Sequence, residues 1–378
     1  MEHLERPVKV IHMAPLSTGG IYKLTLVIHH LMDPQKVRFD YLVFRDRKEF
    51  LEEEAVALGG KKQIVNTEPI KNKFVKFVKK IVWMKKLFKE EQYDVVHVDA
   101  STPYDVIVAV SARLAGVRTI VLHSHNNGYQ KSVPLRDLFM GVYKKLMPFT
   151  VTDYVTISES AAEFMFPKKV VKEKKYRFVR NGIRVEDYQY NENDRIAARK
   201  EMNLEGKFVI GHVGRFVYQK NHDFILKVFS RIQKEHPESV LLLVGEGIRK
   251  AEIMREAEVL GLSESVIFYG VTHDIRKMLL VMDAFIFPSH FEGLGIAAIE
   301  AQTCGLQVYG ADTIAEEVNV TECFHRMHGW DADYWADTIW EGRNLKNRRD
   351  YSDEVARAGY DIKAVAREMQ SFYLDKGR

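Results

Sequence analysis

At 378 residues the chain is too long for one ordinary domain, and with 46% hydrophobic and 29% charged residues each half can bury a core of its own. A net charge of +4 selects no class of partner, and the two cysteines, Cys304 and Cys323, allow one bridge at most and sit in no metal-ligand spacing, which fits a reducing, cytoplasmic setting. Met1–Pro7 lacks the apolar stretch of a signal peptide, and no run approaches the roughly 18 apolar residues of a membrane span.

Short β-branched runs alternate with amphipathic stretches, the pattern of parallel α/β units. Val8–His12 reads as a first strand, followed by the loop Ala14-Pro15-Leu16-Ser17-Thr18-Gly19-Gly20 and a helix from about Ile21 to Leu31. Tyr41–Phe44, Asp94–Val98, Arg118–Leu122, Tyr154–Ile157 and Arg177–Val179 read as the other strands of a first sheet. Ser160 and Glu163 have capping-box spacing. Glu186–Glu205 is polar and poor in strand signal and reads as the linker region. The rhythm restarts with strands Lys207–Val213, Ser239–Val244, Ser265–Tyr269 and Ala284–Phe287, and helices Asn221–Lys234, Ile248–Leu260, Asp274–Met282 and Gly295–Cys304. The expected fold is α/β, two Rossmann-like doubly wound domains facing across a cleft. The first spans 1–185, the second 186–360, and a last helix at 361–378 crosses back to the first. Ligands of such sheets bind beyond the carboxyl ends of the strands.

Two loops at strand ends of the second domain carry the most chemistry. Phe287-Pro288-Ser289-His290-Phe291-Glu292-Gly293-Leu294-Gly295 runs from a buried strand into a helix. Backbone N–H groups of such a turn, with the helix dipole, favour a diphosphate. Glu292 and Glu300 are acceptor-only carboxylates suited to sugar or ribose hydroxyls. Upstream, Gly211-His212-Val213-Gly214-Arg215 leads to Lys220, and both cations can neutralise a leaving diphosphate. Taken singly, a capping loop with one surface Glu, or two solvated loop cations, explains each segment as well. Their joint occurrence favours a site.

These segments resemble the donor site of retaining glycosyltransferases of the GT-B fold, in glycosyltransferase family 4. The Glu-x7-Glu element is matched by Glu292 and Glu300, and the Gly-Arg…Lys element by Arg215 and Lys220. The resemblance runs from Val8 to about Leu374. It implies that Glu292 contacts the donor sugar near its reacting carbon, that Glu300 holds the ribose, and that Arg215 and Lys220 hold the diphosphate. Gly293, Leu294 and Gly295 would complete the donor loop, and Gly19 and Gly20 would let the first loop approach donor or acceptor closely. His123, after a strand of the first domain, matches the family's histidine near the donor sugar, with His125 in reserve and Asn181 as a further candidate; loop or turn chemistry is the plain alternative for each. The implied reaction is transfer of a hexose-type sugar, most commonly from UDP, to a saccharide or lipid-linked saccharide, with retention and without a metal or other cofactor. One departure is Gly305-Leu306-Gln307, where the family commonly has Gly-x-Pro. A nucleotide-sugar epimerase on the same fold, or a non-catalytic nucleotide-sugar-binding subunit, are the rival readings.

Lys71 to Lys89 contains eight lysines and no acid. At about 100° per residue, Phe74, Phe77, Val78, Ile81, Met84 and Phe88 share one face, expected on the sheet, while Trp83 falls opposite among lysines. Lys168, Lys169, Lys172, Lys174 and Lys175 add a second basic cluster. This pattern suits either a solvated outer face or an anionic membrane surface, with the protein peripheral at the inner membrane face. No nucleic-acid-binding module accompanies it.

Overall fold

A computed structural model of the chain describes residues 6–13, 20–48, 51–128, 134–344 and 348–377. It divides into two compact units, Met1–Gly182 with Ile362–Arg378, and Ile183–Asp361.

The first unit holds seven parallel strands in the order β3-β2-β1-β4-β5-β6-β7. In chain order these are β1 Val8–Met13, β2 Val37–Val43, β3 Lys61–Ile64, β4 Val95–Ala100, β5 Thr119–Ser124, β6 Asp153–Thr156 and β7 Arg177–Phe178. Val10 pairs with Phe39 on one side and with Val95 on the other. The central strands are therefore covered on both faces and are mostly apolar, with His12, His97, Asp99 and His123 among their buried polar residues. Helices α1 Gly20–Leu31, α2 Lys73–Glu91, α3 Val106–Ala115 and α4 Pro134–Thr150 supply cover. A late helix, Ile362–Lys376, belongs to this unit and buries Ile362, Val365, Met369, Phe372 and Tyr373 with Val10, Phe39 and Tyr41.

The amphipathic assignment of α2 holds at its C-terminal half and fails at its start. Met84 and Phe88 are fully buried with Phe77 and Leu87 packed beside them, whereas Phe74 is 75% exposed and Val78 is 41% exposed. Asn72 caps the helix by accepting from Val75 N–H at 3.0 Å, and the first turn that follows leaves Phe74 and Val75 exposed. Trp83 is exposed as expected, but Lys80 turns inward over the Phe44 ring at 3.3 Å, and burial pushes its pKa down to about 8.

The second unit holds six parallel strands in the order β10-β9-β8-β11-β12-β13. These are β8 Phe208–Val213, β9 Ser239–Val244, β10 Val266–Gly270, β11 Ala284–Phe287, β12 Gln307–Ala311 and β13 Phe324–Met327. The segment read as a linker is structured: a short 3-10 turn at Val185–Tyr188 leads to α5, Glu192–Glu201. Arg195 and Arg199 of α5 bond Asp283 at 2.5 and 3.0 Å and cap the carbonyls of Leu280, Met282 and Val281. Polarity here reflects a helix held by guanidinium–carboxylate pairs rather than by an apolar stripe. Helices α6 His222–Glu235 and α7 Ile296–Thr303 follow β8 and β11. Cys304 and Cys323 are both free and buried.

In each sheet the chain runs outward first to one side and then to the other. The direction reverses between β1 and β4 in the first unit and between β8 and β11 in the second. Such switch points open a crevice at the carboxyl ends of the strands.

Candidate functional site

In the second unit β8 and β11 are neighbours, with Ala284 opposite Ile210, so the loops leaving them emerge side by side. They are tied together: Gln219 donates its side-chain N–H to the Phe291 carbonyl at 2.9 Å, and His290 N–H donates to the Gln219 carbonyl at 2.8 Å. This brings Lys220 Nζ to 2.6 Å from Glu292 Oε1. The ammonium also lies 4.7 Å from the Phe287 ring centroid. Both partners are largely buried, with side chains 14% and 9% exposed, so neither charge is well screened by water.

Gly295 is the N-cap of α7 with φ of 102°, a left-handed conformation that favours glycine, and an added Cβ would meet Phe287 at 2.9 Å. The first N–H groups of α7 have no intrahelical acceptor and carry the positive end of its dipole. Leu294 is buried just before the helix, and Gly293 belongs to the same turn. Glu300, one turn and more into α7, accepts from the Tyr188 hydroxyl at 2.7 Å. Arg215 is exposed on the loop after β8 and forms no ion pair among the described residues. The unit thus offers an exposed cation, a buried cation held by a carboxylate, and a helix N-terminus near one switch point: a set suited to a diphosphate.

In the first unit the corresponding switch point is filled by imidazoles. His12 is the penultimate residue of β1, His97 and Asp99 lie two residues apart on β4, and His123 near the end of β5 lies two residues before His125, which follows the strand. All five are buried. Asp99 Oδ2 is 3.3 Å from His12 Nδ1 and from Thr25 Oγ1, and Asp99 Oδ1 is 3.1 Å from His125 Nε2. The Tyr373 hydroxyl sits between His12 Nε2 at 2.9 Å and His97 Nδ1 at 2.8 Å, and His97 Nε2 lies 3.2 Å from His123 Nδ1. Burial opposes ionisation of Asp99, but hydrogen bonds from His12, His125 and His97 outweigh it and hold its carboxyl well below the usual range. Burial, followed by the neighbouring His12, pushes His97 down to about 4, and burial with His125 and His97 holds His123 well below its ordinary value.

Of the residues singled out from sequence, the structure joins Lys220 to Glu292, and His125 to Asp99 beside His123. Asn181 is buried in the first unit, and its Oδ1 has no partner among the described residues. Gly20 opens α1, while Gly19 lies outside the described residues. His12, His97, Asp99, Tyr373, Gln219 and Tyr188 were not anticipated. The available signal was polar residues at alternate positions inside apolar strands, Val-Val-His-Val-Asp and Val-Leu-His-Ser-His, which puts each pair on one face.

Comparison with known proteins gives concordant results. The family model described as Glycosyltransferase Family 4 matches residues 18–187, and that described as Glycosyl transferases group 1 matches residues 194–317. The chain is 29% identical over 367 residues to the putative glycosyltransferase EpsF of Bacillus subtilis, covering 93% of each. It is 28% identical over 264 residues to an Escherichia coli UDP-Gal:alpha-D-GlcNAc-diphosphoundecaprenol alpha-1,3-galactosyltransferase, covering 66% of this chain and 64% of that one. In fold it is similar to Anabaena HepE, solved with UDP and glucose, at a TM-score of 0.78 and 16% identity over 97% of this chain and 99% of that one. The lipopolysaccharide glycosyltransferase WaaG superposes with a TM-score of 0.72 and 14% identity over 97% and 99%.

Proposed function

Because the chain belongs to the glycosyltransferases of family 4, built on the GT-B fold, we propose that it moves a hexose-type sugar from UDP to a saccharide or lipid-linked saccharide, with retention at the anomeric carbon. The observation that carries this reading is the Lys220–Glu292 pair at 2.6 Å beside the Gly295-capped start of α7. A diphosphate arriving there competes with Glu292 for the ammonium and releases the carboxylate toward the sugar. Arg215, exposed beside it, adds a directional guanidinium. Together with the helix N-terminus these groups stabilise the charge that develops as the sugar–phosphate bond breaks, a task that needs no metal ion. Glu300 accepts from the ribose hydroxyls, and Tyr188 fixes its orientation. The E. coli relative named for a UDP-Gal donor and a diphosphoundecaprenol acceptor supports uracil and a lipid-linked acceptor.

A basic, apolar face of the first unit supports presentation of that acceptor at an anionic membrane. Phe74, Val82 and Trp83 of α2 and Phe139, Val142, Leu146 and Phe149 of α4 are exposed, and both helices pack on α3. No helix of the described residues is long and apolar enough to cross a membrane. Charge and exposed aromatics together suit an interfacial contact. Sedimentation with phosphatidylglycerol vesicles at moderate salt should carry the protein down, and phosphatidylcholine vesicles should not.

The donor reading is tested by titrating UDP and GDP calorimetrically into the wild type and into Arg215→Ala/Lys220→Ala. Micromolar binding of UDP, weak binding of GDP and loss of both in the double variant are expected. A wild type that binds neither nucleotide overturns the donor site. Free isomeric nucleotide sugar formed without an acceptor would make the protein an epimerase instead.

A further inference from the structure

Four contacts close a ring in the buried cluster of the first unit. They run from Asp99 Oδ2 to His12 Nδ1 at 3.3 Å, from His12 Nε2 to the Tyr373 hydroxyl at 2.9 Å, from that hydroxyl to His97 Nδ1 at 2.8 Å, and from His97 Nε2 to Asp99 Oδ1 at 3.4 Å. Each contact needs one proton, and an ionised carboxylate only accepts. Two neutral imidazoles and a phenol bring one proton each, which makes three protons for the four contacts. When His12 and His97 both donate to Asp99, Tyr373 has one proton for two lone pairs. When Tyr373 is satisfied on both sides, a bare ring nitrogen faces the carboxylate. A buried acceptor without a donor is costly, so the neutral cluster is short of one cation.

The spacing of the donor atoms round Asp99 Oδ1 indicates which cation. This oxygen lies 3.1 Å from His125 Nε2, 3.4 Å from His97 Nε2 and 3.8 Å from His123 Nδ1, and His97 Nε2 lies 3.2 Å from His123 Nδ1. The two bonds to Tyr373 have the ordinary hydrogen-bond lengths of 2.8 and 2.9 Å, whereas these four separations are all longer. Ligand atoms held tetrahedrally at about 2.0–2.1 Å from one ion stand about 3.3–3.4 Å from each other, within the observed spread. A proton serves one such contact; a metal ion serves all of them. We propose that His97 Nε2, Asp99 Oδ1, His123 Nδ1 and His125 Nε2 bind one divalent transition-metal ion, with zinc the metal that suits three imidazoles and a carboxylate in a four-coordinate site.

The surrounding groups complete such a site. With His97 Nε2 on the metal, its Nδ1–H donates to the Tyr373 oxygen, the Tyr373 hydroxyl donates to His12 Nε2, and His12 Nδ1–H donates to Asp99 Oδ2. Every contact of the ring is then satisfied. Outer bonds of this kind fix the tautomer and orientation of a metal-bound histidine. The His12 and His97 rings also stack at 4.3 Å and 15°, which holds both planes about the Tyr373 hydroxyl. The other two ring protons fall on His123 Nε2 and His125 Nδ1, which have no partner among the described residues. Both rings line a cavity of about 20 Å³, room for one water. The ligands come from the neighbouring strands β4 and β5 and from the residue after β5, and all are buried within the first unit. Four protein ligands close the coordination sphere, so the ion is structural. The donor chemistry proposed for the second unit makes no use of it, and the two readings are independent.

The test is titration of untagged full-length protein, first stripped with dipicolinate, with Co2+ and then with Zn2+ in competition. Visible absorption of Co2+ is strong in a tetrahedral site and weak in an octahedral one. One equivalent of Co2+ with the tetrahedral spectrum, displaced by one equivalent of Zn2+, is expected. Asp99→Asn, which keeps the side-chain shape, and His125→Gln should each abolish the band. Tyr373→Phe keeps the ring but removes the acceptor of the His97 proton, and should bind one Zn2+ about 10–100-fold more weakly. His328→Gln, at an exposed histidine of the second unit, should leave the titration unchanged. A wild type without a saturable tetrahedral band overturns the site, and so does a band that survives both Asp99→Asn and His125→Gln. A Tyr373→Phe protein with wild-type Zn2+ affinity would contradict the ring of contacts that the count rests on. Circular dichroism reports whether a variant has unfolded, and in that event the wild-type titration decides alone. The spectra need no turnover, so failure of the transferase reading leaves the outcome unchanged.

Discussion

The two sheets reach their switch points in the same topological way and fill them with opposite chemistry. Between β1 and β4 the side chains are four imidazoles, a phenol and a single carboxylate, all buried and bonded to one another. Between β8 and β11 they are a lysine paired with a glutamate, an arginine reaching solvent and the start of a helix. One region closes buried imidazoles round a single carboxylate; the other is arranged to receive a highly charged group. The fold supplies two equivalent crevices, and the residues at the strand ends decide what each handles.

The largest effect should come from the charged region. Arg215→Ala/Lys220→Ala removes both side-chain cations, and kcat for sugar transfer should fall by at least ~100-fold, the usual cost of losing one preorganised electrostatic donor. A double variant within a few-fold of wild type would erase the contrast drawn above.

Acid stability sharpens the contrast from the other side. His97 and His29 of the first unit are both held near a pKa of about 4 by burial first, against an ordinary value of 6.5. The folded state therefore binds fewer protons than the unfolded chain between these values. Their contribution is present above pH 6.5 and is lost as pH falls toward 4, by up to about 3 kcal/mol per group. Urea unfolding followed at pH 7 and pH 5 should show the drop, and His29→Phe should reduce its slope. A stability that rises on acidification would contradict the neutral, buried imidazoles.

Smaller effects test single contacts of the second unit. Glu300→Ala should weaken UDP binding about tenfold, as expected for a hydrogen bond to a charged group, while leaving the kcat of saturated enzyme close to normal. Gly295→Ala should destabilise by about 1–2 kcal/mol, because its left-handed backbone and the Phe287 ring at 2.9 Å both oppose a Cβ, and the midpoint of denaturant unfolding reads this directly.

What could be read from the sequence follows the range of the interaction. The strand rhythm, the glycine turns and the spacing of Glu292 to Glu300 are local, and β9 and β11 fall where the apolar runs put them, at Ser239–Val244 and Ala284–Phe287. The helix α5 was hidden because its anchors are two arginines that find Asp283 more than 80 residues away. Strand β3, Lys-Lys-Gln-Ile, is a polar edge with no strand composition, and pairing with β2 alone makes it one. The outer turn of α2 was misread because periodicity shows which residues share a face but not where the sheet beneath them ends. The cluster around Asp99 was the least legible: its members come from three strands and the late helix, and only topology brings them together.

The claim that the diphosphate is held at the β8/β11 switch point and not at the β1/β4 one is tested most directly by calorimetric titration of UDP into two variants, Lys220→Ala and Tyr373→Phe. The account predicts that Lys220→Ala loses at least ~10-fold in UDP affinity, by removal of a charge-assisted contact, and that Tyr373→Phe binds UDP like the wild type. Equal weakening of UDP binding in both variants, or wild-type affinity in Lys220→Ala, would contradict it.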